Sequence, residues 1–216
     1  DISLLIIKKT KNFFKLKIKV KGKIFLINSK YSAKSFVKNI LACISIISIL
    51  NLDLNKIEKK FIDFKIPEGR GDTKIIKKFN KKFKFIDESY NANPLSMISA
   101  INNMNNYNRN KKYQKIALLG DMLDLGKQSK KFHKELSIAL NKSDIDKVFV
   151  YGKHIKGTFD NLSVNKKGKV FKNLNEAHNH FGKILRNNDL LMVKGSNATG
   201  LNQFSKNIKR RQIRAL

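Results

Sequence analysis

From Phe83 onward the chain alternates short apolar runs of strand length with amphipathic stretches of helix length, and few architectures accept that pattern. Strands are predicted at Phe83 to Asp87, Lys115 to Leu119, Lys147 to Tyr151, around Val170 and at Leu190 to Val193. Between them, Met97, Ala100, Ile101 and Met104 recur at helical spacing after Asn93-Pro94, and Phe132, Leu136, Ala139 and Leu140 mark a second helix. A short helix near His154, one from Glu176 to Arg186 and a last one after Gly200 complete the series. Repeated units of this length predict an α/β fold: a mostly parallel sheet with helices on both faces, its ligands bound at the loops that leave the carboxyl ends of the strands.

The first third reads differently. Phe14, Leu16, Ile18 and Val20 alternate with Lys15, Lys17, Lys19 and Lys21, which predicts a half-buried strand with one lysine face. Gly22 supplies a turn and Ile24 to Ile27 the return strand of a β-hairpin. The lysine row is read as a solvated face that also discourages edge-to-edge pairing. Phe36, Ile40, Cys43, Ile44 and Ile47 predict a buried helix from about Ala33 to Leu50, and a shorter helix is expected over Leu54 to Phe64. Pro67 and the Gly69-Arg70-Gly71 turn mark a boundary, since Pro67 and Pro94 are the only two prolines. Two domains follow, 1–68 and 69–216. The longest apolar stretch, Ile40 to Leu50, falls well short of the ~20 residues of a membrane span. The single cysteine, Cys43, cannot close an internal disulfide, so a reducing, cytoplasmic setting is expected. A chain that begins at Asp1 rather than Met is read as a fragment.

Charge is the outlying quantity: 46 Lys and Arg against 16 Asp and Glu leave +30. Such a surplus suits a polyanionic partner. Compositional drift is the competing source, because Lys, Asn, Ile and Phe are abundant together and Trp is absent. Drift scatters charge, whereas a binding face concentrates it. Aromatic residues do not interleave with the basic ones as they do in single-strand binders, and no nucleic acid is expected. A basic nucleic-acid or membrane-surface module, with steeply salt-dependent binding, is the non-enzymatic alternative.

Three polar strings directly follow predicted strands. In the first, Ile86-Asp87-Glu88-Ser89-Tyr90-Asn91-Ala92-Asn93-Pro94, Asn93 and Pro94 are ordinary helix-start residues. Capping does not require the two adjacent acids, which repel unless a cation, an amine or ribose hydroxyls lie nearby. The second, Leu119-Gly120-Asp121-Met122-Leu123-Asp124-Leu125-Gly126, precedes Ser129, His133 and Glu135 and lacks the Gly-Lys-Ser/Thr ending of a phosphate loop. His133 is expected on a helix surface. The third, Val193-Lys194-Gly195-Ser196-Asn197, can set an ammonium against a phosphate or carboxylate. His178 and His180, two apart on a helix, point to different sides and do not form a metal pair.

In this order the strings resemble the Mur ligases. The resemblance rests on Gly69-Arg70, on Asp87 through Pro94, on Leu119 through Met122 with Leu125-Gly126, Ser129, His133 and Glu135, and on Lys194-Gly195-Ser196. The string Ser89 to Pro94 is similar to the branch that adds D-alanyl-D-alanine; a sister amide ligase of the folylpolyglutamate type is the alternative. The resemblance implies that residues 1–68 are the tail of a central ATPase domain and 69–216 a Rossmann-like C-terminal domain. It also implies the reaction: ATP, with Mg²⁺, phosphorylates the carboxylate of UDP-N-acetylmuramoyl-tripeptide, and the amine of D-Ala-D-Ala attacks the acyl phosphate. Carried over residue by residue, Asn39 would contact adenine and Arg70 the ribose or phosphates, with a catalytic part shared by Arg70 and Lys194. Asp87 and Glu88 would hold ribose. Ser89, Tyr90, Asn91 and Asn93 would help receive the dipeptide, and Lys194 with Ser196 would approach its carboxylate or the acyl phosphate. Asp121 and His133 would support from behind. A monomer is expected.

The departures are Ser35 where relatives carry a histidine four residues before Asn39, Asp124 in place of a glutamate, and Asn197 in place of an arginine after Lys-Gly-Ser. The Gly-rich phosphate loop, the Mg²⁺ ligands and the modified lysine of the central domain have no counterpart in these residues. This polypeptide alone is therefore expected not to turn over ATP.

Overall fold

The computed structural model describes residues 1–32, 34–107 and 113–210, and the side chains of all of these except Lys34 and Ser35. It divides into two compact units, Asp1–Ile66 and Pro67–Leu216. Ala33, the expected helix start, and the side chain of Ser35 lie outside what is described.

In the first unit, β1 (Ile2–Lys9), β2 (Phe14–Val20) and β3 (Lys23–Ser29) form an antiparallel sheet in that order. Leu16, Ile18, Val20 and Ile27 pack against Val37, Ile40 and Ile44 of α1 (Lys34–Ile49), with Phe61 from a 3-10 turn closing the core. That turn, Glu58–Asp63, continues the short α2 (Leu54–Ile57), so the expected second helix is half α and half 3-10. Alternation did not reveal β1: its run of Leu4 through Ile7 has no polar alternate, and Leu5 and Ile6 are exposed. The lysine row does not guard an edge. It sits on the middle strand, where Lys17 opposes Ile6 and Leu26, and Lys19 opposes Ile24. Period two reports which face is wet and nothing about a strand's place in the sheet.

The second unit is the predicted α/β layer structure. Its sheet has the order β4-β5-β9-β6-β7-β8, with β4 (Asp72–Lys78) antiparallel to β5 (Lys81–Glu88) and the other pairs parallel. The strands β6 (Lys115–Gly120) and β9 (Leu190–Lys194) are buried at every position, as central parallel strands covered on both faces must be. On one face, α3 (Pro94–Asn105) and α4 (Ser129–Lys142) set Met97, Ala100, Ile101, Leu136 and Leu140 against Ala117, Leu119 and Met192. On the other, α6 (Leu174–Ile184) and α7 (Leu201–Lys209) set Phe181, Leu201 and Phe204 against Ile116, Leu118 and Leu191. The strand β4 went unpredicted because three lysines beside its apolar pair Ile75-Ile76, Lys74, Lys77 and Lys78, hide it: as an edge strand it buries only Ile76 and Lys78.

Topology positions the site. The chain crosses the sheet from β5 through β6 and β7 (Lys147–Tyr151) to β8 (Lys167–Phe171), using α3, α4 and the short α5 (Lys156–Asp160). It then returns by α6 and inserts β9 between β5 and β6. The loop leaving β9 therefore turns to the α7 face, while its two neighbours turn to the α3 and α4 face. Strands that part in this way leave a crevice at their carboxyl ends.

Candidate functional site

Lys194, the last residue of β9, stands in register with Glu88 on one side and Leu119 on the other. Its side chain is almost wholly enclosed, and its ammonium donates to the Asn91 carbonyl at 3.0 Å and to Glu88 Oε2 at 3.5 Å. Burial pushes the Lys194 pKa down, and the Glu88 carboxylate draws it partly back. Burial likewise pushes Glu88 up, against the pull of Lys194. The two groups share one desolvated corner, where burial pushes each toward its neutral form and the other draws it back toward the charged form.

Asp87, next to Glu88, has a different counterion. Its Oδ2 lies 2.7 Å from Lys209 Nζ, at the end of α7, while its Oδ1 accepts from the Ser89 amide at 3.1 Å and from the Ser89 hydroxyl. The repulsion between the adjacent acids is therefore answered inside the protein, by one lysine each. Asp87 and Ser89 are 2% and 1% exposed and turned into the structure, where Lys209 and the Ser89 hydroxyl engage the Asp87 carboxylate. The neighbouring turn is tied to the same strand end. Gly71 donates its amide to the Asp87 carbonyl at 2.7 Å, and Gly69 donates to Asp72 Oδ1 at 2.9 Å. Gly69 has φ +74, and a Cβ there would come within 3.0 Å of Tyr90, so this position needs glycine on both counts. The outcome is an exposed Arg70 whose guanidinium lies 4.2 Å from the centre of the half-exposed Tyr90 ring.

Ser196 stitches the three loops together. Its hydroxyl accepts from the Leu123 amide at 3.0 Å and donates to the Ala92 carbonyl at 3.3 Å, and its amide donates to the Asp121 carbonyl at 3.0 Å. Gly195 permits this approach: a Cβ on it would lie 3.1 Å from Gly120 Cα. Asn93 is the N-cap of α3 and forms a capping box with Ser96, which accounts for its side-chain oxygen; Asn91 is exposed, its own oxygen accepting from the Ala92 amide at 2.8 Å.

The Asp121 carboxylate accepts from the amides of Ile155 at 2.7 Å and Lys153 at 3.0 Å and so fixes the loop after β7. His133 does not lie on a helix surface as expected: it is fully buried. Its Nε2 accepts from the Met122 amide at 3.0 Å, and Nδ1 faces the Ser129 carbonyl at 2.7 Å, which fixes a neutral imidazole with the proton on Nδ1. Burial lowers its pKa, against opposing pulls from Ser129 and Asp121. Helical spacing could not show this, because the loop that covers the helix comes from the preceding strand.

Asn39 lies in the first unit, exposed on α1. The Asn197 side chain accepts from Asn202. The residue that sequence reasoning missed is Lys209: one lysine among many carries no signal, and only its place beside Ile208 on the inner side of α7 could have suggested it. Among the described residues no group of three or more His, Cys, Asp or Glu is placed to hold a metal ion, and His178 and His180 contact different rings, Phe79 and Phe149.

Comparison with known proteins agrees with this geometry. The chain is 29% identical over 86% of its length to a UDP-N-acetylmuramoyl-tripeptide–D-alanyl-D-alanine ligase of Rickettsia prowazekii, covering 40% of that protein. It is 32% identical over 76% of its length to the ligase of the same name from Buchnera aphidicola subsp. Baizongia pistaciae, covering 34% of it. The chain therefore spans well under half the length of these relatives. The crystal structure of MurF ligase from Thermotoga maritima in complex with ADP superposes over 96% of this chain and 47% of its own, with a TM-score of 0.74 and 20% identity, which shows the shared fold. Residues 73–197 match the family model described as Mur ligase, glutamate ligase domain. That match takes in the ends of β5, β6 and β9 and more than half of the chain, which belongs to the Mur ligase family.

Proposed function

We propose that the chain is part of an ATP-dependent ligase that joins D-alanyl-D-alanine to UDP-N-acetylmuramoyl-tripeptide through an acyl phosphate. The second unit, 67–216, would be its C-terminal domain and the first a portion of its central domain. The observation that carries this reading is the junction of the Asp87–Pro94 loop with Lys194-Gly195-Ser196, through the ammonium on the Asn91 carbonyl and the Ser196 hydroxyl on Ala92. It brings the string that resembles the D-alanyl-D-alanine-adding branch to the crevice where the outgoing loops of β5 and β9 diverge. The names of the relatives and the ADP-bound structural neighbour support the same substrates and nucleotide.

The chemistry asks for fixed positive charge where phosphate and carboxylate oxygens gather. Lys194 is one such cation; its ammonium is enclosed and held by the Asn91 carbonyl and Glu88, so it acts by neutralising Glu88, which would otherwise repel an anionic substrate. Arg70 supplies a second cation at the surface, steadied by the Tyr90 face. Asn91 offers a carboxamide at the rim. Mg²⁺ does not fit the crevice carboxylates among the described residues: both Asp87 oxygens are engaged by Lys209 and Ser89, and Glu88 faces Lys194, so no step here runs through a metal.

A chimera tests the reading. Residues 67–216 replace the matching segment of the Rickettsia prowazekii relative, and phosphate release is followed with UDP-N-acetylmuramoyl-tripeptide, ATP and different amines. Release that depends on D-Ala-D-Ala is the expected result. A folded chimera that accepts a single amino acid in preference to the dipeptide would refute it in favour of a sister amide ligase.

A further inference from the structure

The β4–β5 hairpin concentrates charge that the site at the strand ends does not use. Lys77 stands directly opposite Lys82, and Lys78 opposite Lys81. Like charges placed across an antiparallel pair lower stability, and here two such pairs are adjacent. Side chains alternate, so the pairs lie on opposite faces and four ammonium groups surround the hairpin end.

The turn between them is also held against preference. Phe79 and Asn80 have φ of 55° and 57°, the left-handed geometry of a two-residue hairpin turn. Asn accepts that conformation readily; Phe does so under strain. Packing keeps Phe79 there: its ring lies 4.9 Å from that of His178, edge to face, and a Cβ on Gly182 would come within 3.1 Å of it. Compositional drift explains abundant lysine. It does not explain lysines paired with lysines on a strained turn that the core of the unit locks in place.

Beside the hairpin runs a groove of about 970 Å³ lined by Lys74, Lys77, Lys78, Lys81, Lys82 and Lys209, and no acidic side chain lines it among the described residues. Lys74 and Lys209 have Asp72 as a nearby counterion. The other four form no ion pair with a carboxylate among the described residues. Lys78 is largely buried and donates to a neutral acceptor, the Asn207 carbonyl, while burial and the nearby Arg210 lower its pKa. No aromatic ring lines the groove among the described residues, so the stacking platforms that a nucleic-acid strand uses are missing. Its concave form suits a compact ligand better than a flat lipid surface.

We propose that this groove binds a condensed phosphate, a short chain of linked phosphoryl groups, free or carried on a nucleoside. The proposal goes beyond the ligase reading and does not depend on it.

Calorimetric titration of the whole 216-residue chain with inorganic tripolyphosphate, at a fixed salt concentration of about 0.15 M, tests the proposal. Saturable binding is expected, weakened about tenfold or more in K77Q/K81Q/K82Q, since each lost ammonium removes a charge-assisted contact. The triple variant relieves the like-charge pairs and should melt no lower than the parent, which separates loss of binding from loss of fold. K15Q/K17Q/K19Q removes the same charge from the first unit and should change binding by no more than about twofold. Equal weakening by both triples, or no saturable binding, would overturn the proposal. So would tighter, hairpin-dependent binding of single-stranded DNA or of phosphatidylglycerol vesicles. The chimera carries these lysines unchanged and is read by amine-dependent phosphate release, whereas the titration reads direct binding to the intact chain, so failure here and failure of the ligase reading remain distinguishable.

Discussion

Lys209 shows how much a single side chain can organise. Its ammonium lies 2.7 Å from Asp87, 3.4 Å from Glu68 and 3.9 Å from Asp72, and Asp72 Oδ2 has no hydrogen-bond partner, so Lys209 and Lys74 are its counterions. Removing the ammonium leaves Asp87 buried and charged with only Ser89 as donor. Lys209→Met should therefore destabilise the fold by about 3 kcal/mol in urea unfolding, and adding Asp87→Asn should recover part of that loss. If the single variant is as stable as the parent, Asp87 does not depend on this ion pair. At this scale the sequence was legible where residue type and position speak together, as in Asn93-Pro94, whose capping box forms as the residues suggest. It was not legible where a contact joins distant segments. Lys194 and Lys209 look alike in a chain with 46 basic residues, and the sheet makes one the partner of Glu88 and the other of Asp87.

Elements were readable in proportion to how plainly burial writes a period. The strands and helices from β5 to α7 follow their apolar spacing, whereas β1 and β4 escaped because one lacks alternation and the other is crowded with lysine. The helix α4 was found while the burial of its histidine was not. His133 is enclosed by the loop from β6, and its lowered pKa makes the native state bind a proton less readily than the unfolded chain. Stability is then fully present above the ordinary histidine value and declines as pH falls below it, by up to ~1.4 kcal/mol per pH unit, until the native group also titrates. His178 and His180, also lowered by burial, contribute in the same direction. Urea unfolding between about pH 7.5 and 5.5 should show this loss, and His133→Gln should show a shallower one from a lower starting stability. An unchanged slope would mean that His133 does not carry the neutral form inferred from its hydrogen bonds.

For the whole molecule, the two units have separate apolar cores, one of Leu16, Ile18, Ile40 and Ile44 and the other on the two faces of the six-stranded sheet. Each core closes within its own segment. A polypeptide starting at Pro67 should therefore melt cooperatively and protect the amides of β6 and β9 most strongly from hydrogen exchange. A fragment that stays unfolded would show that the second unit needs the first. The layer architecture was legible because alternating strand and helix periods admit few arrangements. Strand order was not, since no local pattern says that β9 must enter between β5 and β6.

That insertion has a bearing on biosynthesis. As the polypeptide leaves the ribosome, β4 with β5 and β6 with β7 and β8 emerge as two half-sheets whose facing edges have no mutual partner until residues 190–194 appear. Nascent chains halted before that point would carry every acidic and amide group of the crevice yet lack the strand that joins the halves. Maturation of this unit is thus a late, single closure rather than a stepwise accretion, and premature termination should yield species prone to cross-pairing instead of partly competent ones.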